Sequence, residues 1–124
     1  MNALATADWA LVNGRVLAVF GPLLILTGIA GFLVPPRFAL TSGAPAYNVF
    51  HIVFGMIGTA LVLGKGAVGI AAFNLGFGIV DVYQAVAGAT GVFPARQFRY
   101  KLADHVLHWA IGLALVAVGW MGLR

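Results

Sequence analysis

Four long apolar runs divide the chain, and each is closed by proline or glycine rather than by a cluster of charge. The first covers residues 14–34 and stops at Pro35-Pro36, neither of which can donate a helical hydrogen bond. Gly21-Pro22 inside it predicts a kink or a loosened turn. Residues 37–46 contain Ser42-Gly43 and Pro45, all turn formers. The second run, 47–64, ends at Gly64-Lys65-Gly66, and so short a turn predicts that spans two and three are antiparallel neighbours. The third, 67–93, is long enough to tilt and ends at Pro94. After a loop over 95–101 the fourth covers 102–122, with Trp109 near its beginning and Trp120 near its end. Crossing the hydrocarbon of a bilayer takes about 20 apolar residues in a helix. The expected fold is therefore an all-α membrane protein, a single four-helix transmembrane domain over residues 1–124. Residues 1–13 are expected at the interface, anchored by Trp9. They do not read as a signal peptide, because the first basic side chain is Arg15 and Asp8-Trp9 interrupts the early segment.

Composition strengthens the membrane reading. Hydrophobic residues make up 62% of the chain and charged residues 8%, with a mean hydropathy of +1.02. A soluble domain carries about 25% charged residues to cover its surface. The expected surroundings are a lipid bilayer, with no room for an extramembrane domain. There is no cysteine, which removes disulfide and thiolate chemistry, and the three acids are all Asp. The pI near 10.2 comes from seven scattered Lys and Arg, which mark helix ends and lipid headgroups rather than a nucleic-acid patch. Arg15, Lys65 and Arg124 lie on one side of the bilayer and Arg37, Arg96, Arg99 and Lys101 on the other, a balance too even to orient the protein.

The even-numbered spans repeat each other. His51-x-x-x-Gly55 returns 57 positions later as His108-x-x-x-Gly112, in a chain with only three histidines. Ala46/Ala103, Val49/Val106 and Ala60/Ala117 agree at the same offset, and Pro35-Pro36-Arg37-Phe38 parallels Pro94-Ala95-Arg96-Gln97-Phe98. The pattern predicts a tandem, parallel repeat of two helical hairpins about a pseudo-two-fold axis along the membrane normal. Spans two and four would then face each other across that axis, with His51 and His108 at equal depth.

Asn48-Val-Phe-His51-x-x-x-Gly55 and Asp104-His105-Val-Leu-His108-x-x-x-Gly112 resemble the even-numbered spans of a family of small bacterial four-helix membrane proteins of unknown function. His105 departs from that pattern, where Asn is expected, and Asp81 lies outside it. The resemblance implies the four-helix architecture and a bacterial plasma (inner) membrane location. It implies no reaction.

Polar residues inside the runs are the candidate site. Asn48, His51, Gly55 and Thr59 share one helical face, as do Asp104, His108, Gly112 and Leu115, with His105 beside them. An imidazole or amide in hydrocarbon must find a partner, so both faces should point into the bundle. The simplest expectation is interhelical hydrogen bonding among Asn48, His51, His105, His108 and loop carbonyls. In span three Asn74, Gly78, Asp81 and Gln84 share a stripe. A charge at the centre of a span costs at least about 2.5–3.5 kcal/mol on insertion scales, so Asp81 is a functional candidate. With no complete catalytic set, the leading functional expectation is a non-enzymatic accessory or scaffold subunit of a larger membrane complex, or a homo-oligomer. One alternative is a redox membrane protein binding haem, pigment or a metal through His51 and His108, with His105 nearby and Asp104 orienting an imidazole. Another is a small transporter or proton-conducting element centred on Asp81.

Overall fold

A computed structural model describes residues 7–124. Helix α1 spans Trp9–Leu33, α2 Pro45–Gly64, α3 Ala67–Thr90, the short α4 Ala95–Phe98, and α5 Leu102–Leu123. A 3-10 turn, Pro36–Phe38, lies between α1 and α2. The described residues contain no strand. The four long helices are each long and apolar enough to cross a membrane.

The helix ends follow local chemistry. α1 begins well before residue 14 because the Asp8 carboxylate accepts the Leu11 N–H at 3.0 Å and caps it. Residues 9–13, expected at the interface, are its first turns, while residues 1–6 lie outside the described part. α1 continues through Pro22. Pro45 opens α2 at a position where no helical N–H is needed. α3 stops at Thr90, short of residue 93, because Gly91 takes the left-handed conformation (φ 77) that ends helices. The expected loop over 95–101 contains α4, and α5 matches its expected range to within a residue.

Two pairs of helices pack with their backbones close together: α1 with α2, and α3 with α5. Glycines permit this. A methyl group on Gly21 would lie 2.7 Å from Thr59 Oγ1 and 3.0 Å from Thr59 N. One on Gly78 would lie 2.7 Å from Val116 N and 2.9 Å from Gly112 O. As the 64–66 turn predicts, α2 and α3 are neighbours, but large rings rather than glycines fill the space between them: Phe50 and Phe54 of α2 meet Phe77 of α3 at centroid distances of 5.8 and 5.5 Å. α2 and α5 lie on the long diagonal, with no Cα pair within 8 Å.

Many of the buried residues are small or polar, and many large apolar side chains, such as Val19, Leu26, Met56, Ile79 and Leu113, face outward. Lipid satisfies apolar surface but no polar group, so polarity turns inward. Of the six largest fully buried side chains, only Leu17 is apolar; the others are Gln84, Asn13, Asn48, Asn74 and Asp104. Across the middle of the bundle Leu24, Phe77 and Leu115 form an apolar layer, flanked by Phe20, Phe50, Phe54, Phe73 and Ile111. The buried residues of α1 are Asn13, Leu17, Gly21, Leu24 and Gly28, and those of α3 include Ile70, Asn74, Gly78, Asp81 and Ala85, each 57 positions further on.

Candidate functional site

Asp104 organises the end of the bundle that carries the 34–44 and 91–101 connections. It sits in the first turn of α5, only 1% exposed, so each of its acceptor positions must be filled from the protein. Its Oδ2 accepts the backbone N–H groups of Ser42 at 2.7 Å and Lys101 at 2.8 Å. Its Oδ1 accepts the Tyr47 hydroxyl, reaching across from α2, at 3.1 Å. The Tyr47 oxygen also lies 2.8 Å from His108 Nε2. A phenol has one proton to give. Directed at Asp104, it leaves the oxygen to accept Nε2–H from His108, which fixes the tautomer and leaves His108 Nδ1 buried with no partner among the described residues. The two loops are tied down beside this hub. Lys101 Nζ donates to the carbonyls of Pro36 and Ala39, both at 2.8 Å, and Ser42 Oγ donates to the Phe98 carbonyl.

Below the hub lies a cavity of about 160 Å³. Tyr47, Asp104 and Thr41 lie toward its loop end, His51, Asp81 and His108 at its middle, and Phe20, Leu24, Phe77 and Ile111 toward the apolar layer. His51 packs under the Tyr47 ring at a centroid distance of 4.1 Å. It is 7% exposed and makes no hydrogen bond among the described residues, its Nδ1 being fully buried. Asp81 is engaged at Oδ1 alone, by Gln84 Nε2 at 3.3 Å. Gln84 Oε1 in turn accepts the Tyr100 hydroxyl at 2.8 Å. A polar chain thus runs from Tyr100 in the loop through Gln84 to Asp81 at the cavity wall. Burial raises the Tyr100 phenol pKa above its ordinary value, and the nearby Asp104 and Asp81 carboxylates add to that.

The expected site residues fall into three groups. His51, His108, Asp104 and Asp81 share the cavity, with Gln84 behind Asp81. His51 and His108 do not bond each other as expected, because Tyr47 stands between them. Asn48 and His105 are off the cavity. Asn48 Nδ2 donates to the Gly43 carbonyl at 2.8 Å, and its side chain lies against Gly31. His105 lies against Gly88 at the equivalent place in the other hairpin, with its ring 5.9 Å from that of Tyr100. Asn74 belongs to a second polar cluster beyond the apolar layer. Its Nδ2 donates to Asn13 Oδ1 at 2.9 Å, and Asn13 Nδ2 donates to the carbonyls of Trp9 at 2.8 Å and Val118 at 2.9 Å. That cluster pins α1, α3 and α5 together.

Sequence reasoning missed Tyr47, Ser42, Tyr100 and Asn13. A signal for Tyr47 existed: it lies 57 positions before Asp104, at the offset that relates His51 to His108. Among the described residues no group of three or more His, Asp, Glu or Cys is arranged to hold a metal ion. No family model, curated protein or solved structure matches the chain. The chemistry of the site is therefore argued from its own geometry.

Proposed function

We propose that this chain is a non-enzymatic integral membrane protein that binds a small uncharged guest in the cavity beneath the Tyr47–Asp104–His108 hub. One observation carries the reading. Among the described residues His51 has no hydrogen-bond partner and Asp81 has one unengaged oxygen, and both line the same space of about 160 Å³. Buried polar groups are nearly always satisfied, so two under-used groups converging on one cavity mark a binding site. An engineered cavity of about 150 Å³ accepts benzene, which sets the scale of the guest.

The same geometry weighs against the other readings. A haem held between His51 and His108 needs both Nε2 atoms free and far more room, yet Tyr47 engages His108 Nε2 at 2.8 Å. A proton route through Asp81 would have to cross the layer of Leu24, Phe77 and Leu115 before reaching Asn74. The apolar outer faces suit lipid and would equally suit a neighbouring membrane subunit or a second copy.

We also propose that the two hairpins are a tandem repeat. The support is the shared offset of their buried residues and of their contacts. Gly21 meets Thr59 N and Gly55 O, and Gly78 meets Val116 N and Gly112 O, each residue 57 positions after its counterpart.

Thermal unfolding of the purified full chain with a panel of small neutral solutes tests the binding reading. A ligand of the folded state stabilises it by RT ln(1 + [L]/Kd), about 2.7 kcal/mol at a hundredfold excess over Kd. At least one solute should raise Tm, and His51→Phe, which keeps an aromatic ring but removes the imidazole's hydrogen-bonding nitrogens, should abolish the rise. No shift from any solute, or a shift that survives His51→Phe, would refute the reading.

A further inference from the structure

The cavity is not closed toward the lipid on every side. On α1 and α5 its lining includes Leu23, 51% exposed, and Leu107, 42% exposed, so these two helices form a lip open to the hydrocarbon. Outside that lip runs an apolar groove of about 430 Å³ that shares Thr27, Thr41 and Leu107 with the cavity. The corresponding seam between α2 and α3 is sealed. There Phe50 and Phe54 stand 57 positions before Leu107 and Ile111 and fill the gap against Phe77. The bundle thus has two similar seams, one plugged by aromatic rings and one left open by smaller side chains.

From this we infer that the cavity is loaded sideways from the bilayer, between α1 and α5, and that its guest is a lipid-dissolved phenol: a single ring in the cavity and a hydrocarbon tail along the outer groove. The inference rests on the proposed binding function and adds the ligand class and the route. Ring size follows from the volume. The stacking surfaces are Phe20 and Phe77 on the apolar side and the Tyr47 and His51 rings toward the hub. A hydroxyl suits the polar middle because it donates and accepts at once. It can donate its one proton to the unengaged oxygen of Asp81 while its oxygen accepts an N–H from the His51 imidazole. A charged guest would have to enter through hydrocarbon and is excluded by that route. The tail follows from the groove, which continues the cavity outward along Ala30, Val34 and Leu40.

Equilibrium binding of radiolabelled 4-pentylphenol to the full chain in detergent micelles tests this. Saturable binding at one molecule per chain is expected, with unlabelled pentylbenzene competing at least about tenfold more weakly because it lacks the hydroxyl. Leu107→Phe combined with Ile111→Phe copies the sealed seam and should weaken binding at least about tenfold. Leu23→Trp narrows the half-exposed lip without touching the polar groups of the cavity and should slow association, which keeps the test informative if the double variant folds poorly. Equal competition by pentylbenzene would overturn the phenol assignment. Unchanged binding and association in both variants would overturn the route. If 4-pentylphenol fails to bind while another solute still raises Tm in a His51-dependent way, this inference falls and the binding function stands. If no solute acts, both fall.

Discussion

Replacing Asp104 should separate a structural hub from a merely buried acid. The carboxylate accepts three hydrogen bonds, from Ser42 N–H, Lys101 N–H and the Tyr47 hydroxyl. Asp104→Ala removes all three acceptor positions at a site 1% exposed. Tyr47 can turn its proton to His108 Nε2, already 2.8 Å away, so it finds another partner. The two backbone N–H groups have none, and at about 1–3 kcal/mol for each unsatisfied donor the loss is about 2–6 kcal/mol. Asp104→Asn behaves differently. Its amide oxygen can take the Oδ2 place and keep both backbone donors. Its NH2 then faces Tyr47, which must accept from it and donate to His108. All bonds survive and only the benefit of the ionic acceptor is lost, about 1–2 kcal/mol. Thermal or denaturant unfolding in micelles measures the two losses, and 15N NMR of His108 reads the reversal, because Nε2 changes from protonated to bare. Equal destabilisation by Asn and Ala, or an unmoved His108 Nε2 resonance in Asp104→Asn, would refute the donor and acceptor assignment.

Three further outcomes are expected. Asn13→Leu and Asn74→Leu should each destabilise the bundle by about 1–3 kcal/mol, and the double variant by less than the sum, since both lose the same 2.9 Å bond; unfolding of the double-mutant cycle checks this. Gly78→Ala should cost about 1–3 kcal/mol because its methyl would meet the Val116 and Gly112 backbones, whereas Gly76→Ala, with nothing within 4 Å, should be neutral or stabilising in the same unfolding assay. Burial raises the Tyr100 phenol pKa, so in an ultraviolet titration it should ionise later than an ordinary tyrosine. Its stabilising contribution should be present below the unfolded value of about 10 and fade as pH rises through the folded value, and Tyr100→Phe should remove that alkaline dependence.

The four spans were legible because lipid forces long apolar runs and because Pro35-Pro36, Gly64-Lys65-Gly66 and Pro94 punctuate them. The missed helix start came from Asp8, whose capping role depends on where the Leu11 N–H points. That Asn48, His51, Asp81 and His108 face inward was also legible, since the cost of burying polar groups in hydrocarbon depends only on their type. Their partners were not. Which residue meets which across the bundle depends on helix separations, and those are set by the glycines of α1/α2 and α3/α5 and the phenylalanines between α2 and α3. Tyr47 illustrates the difficulty. As an aromatic at the start of an apolar run it reads as an interface anchor, yet it is 2% exposed and holds the centre of the hub.

In the proposed repeat, the places where the hairpins differ matter as much as those where they agree. Tyr47 and Asp104 occupy the same position of the repeat, 57 residues apart, and bond directly to each other. Residues that meet their own counterparts across a two-fold axis face a difficulty when they are identical. Two carboxylates would repel, and two phenols would offer Ser42 and Lys101 no anionic acceptor. A donor on one hairpin and an acceptor on the other resolves it. The same holds along the seams. Identical seams would give two half-filled cavities competing for the core, whereas Phe50 and Phe54 close one and Leu107 and Ile111 leave the other open. Asp81 stands where the first hairpin has Leu24, so a carboxylate enters the interior in only one of the two halves. On that proposal the matching glycines of the two hairpins account for their close packing, and the differences at positions 47/104, 50/107, 54/111 and 24/81 account for a polar cavity beside the α1/α5 seam without a match at the α2/α3 seam.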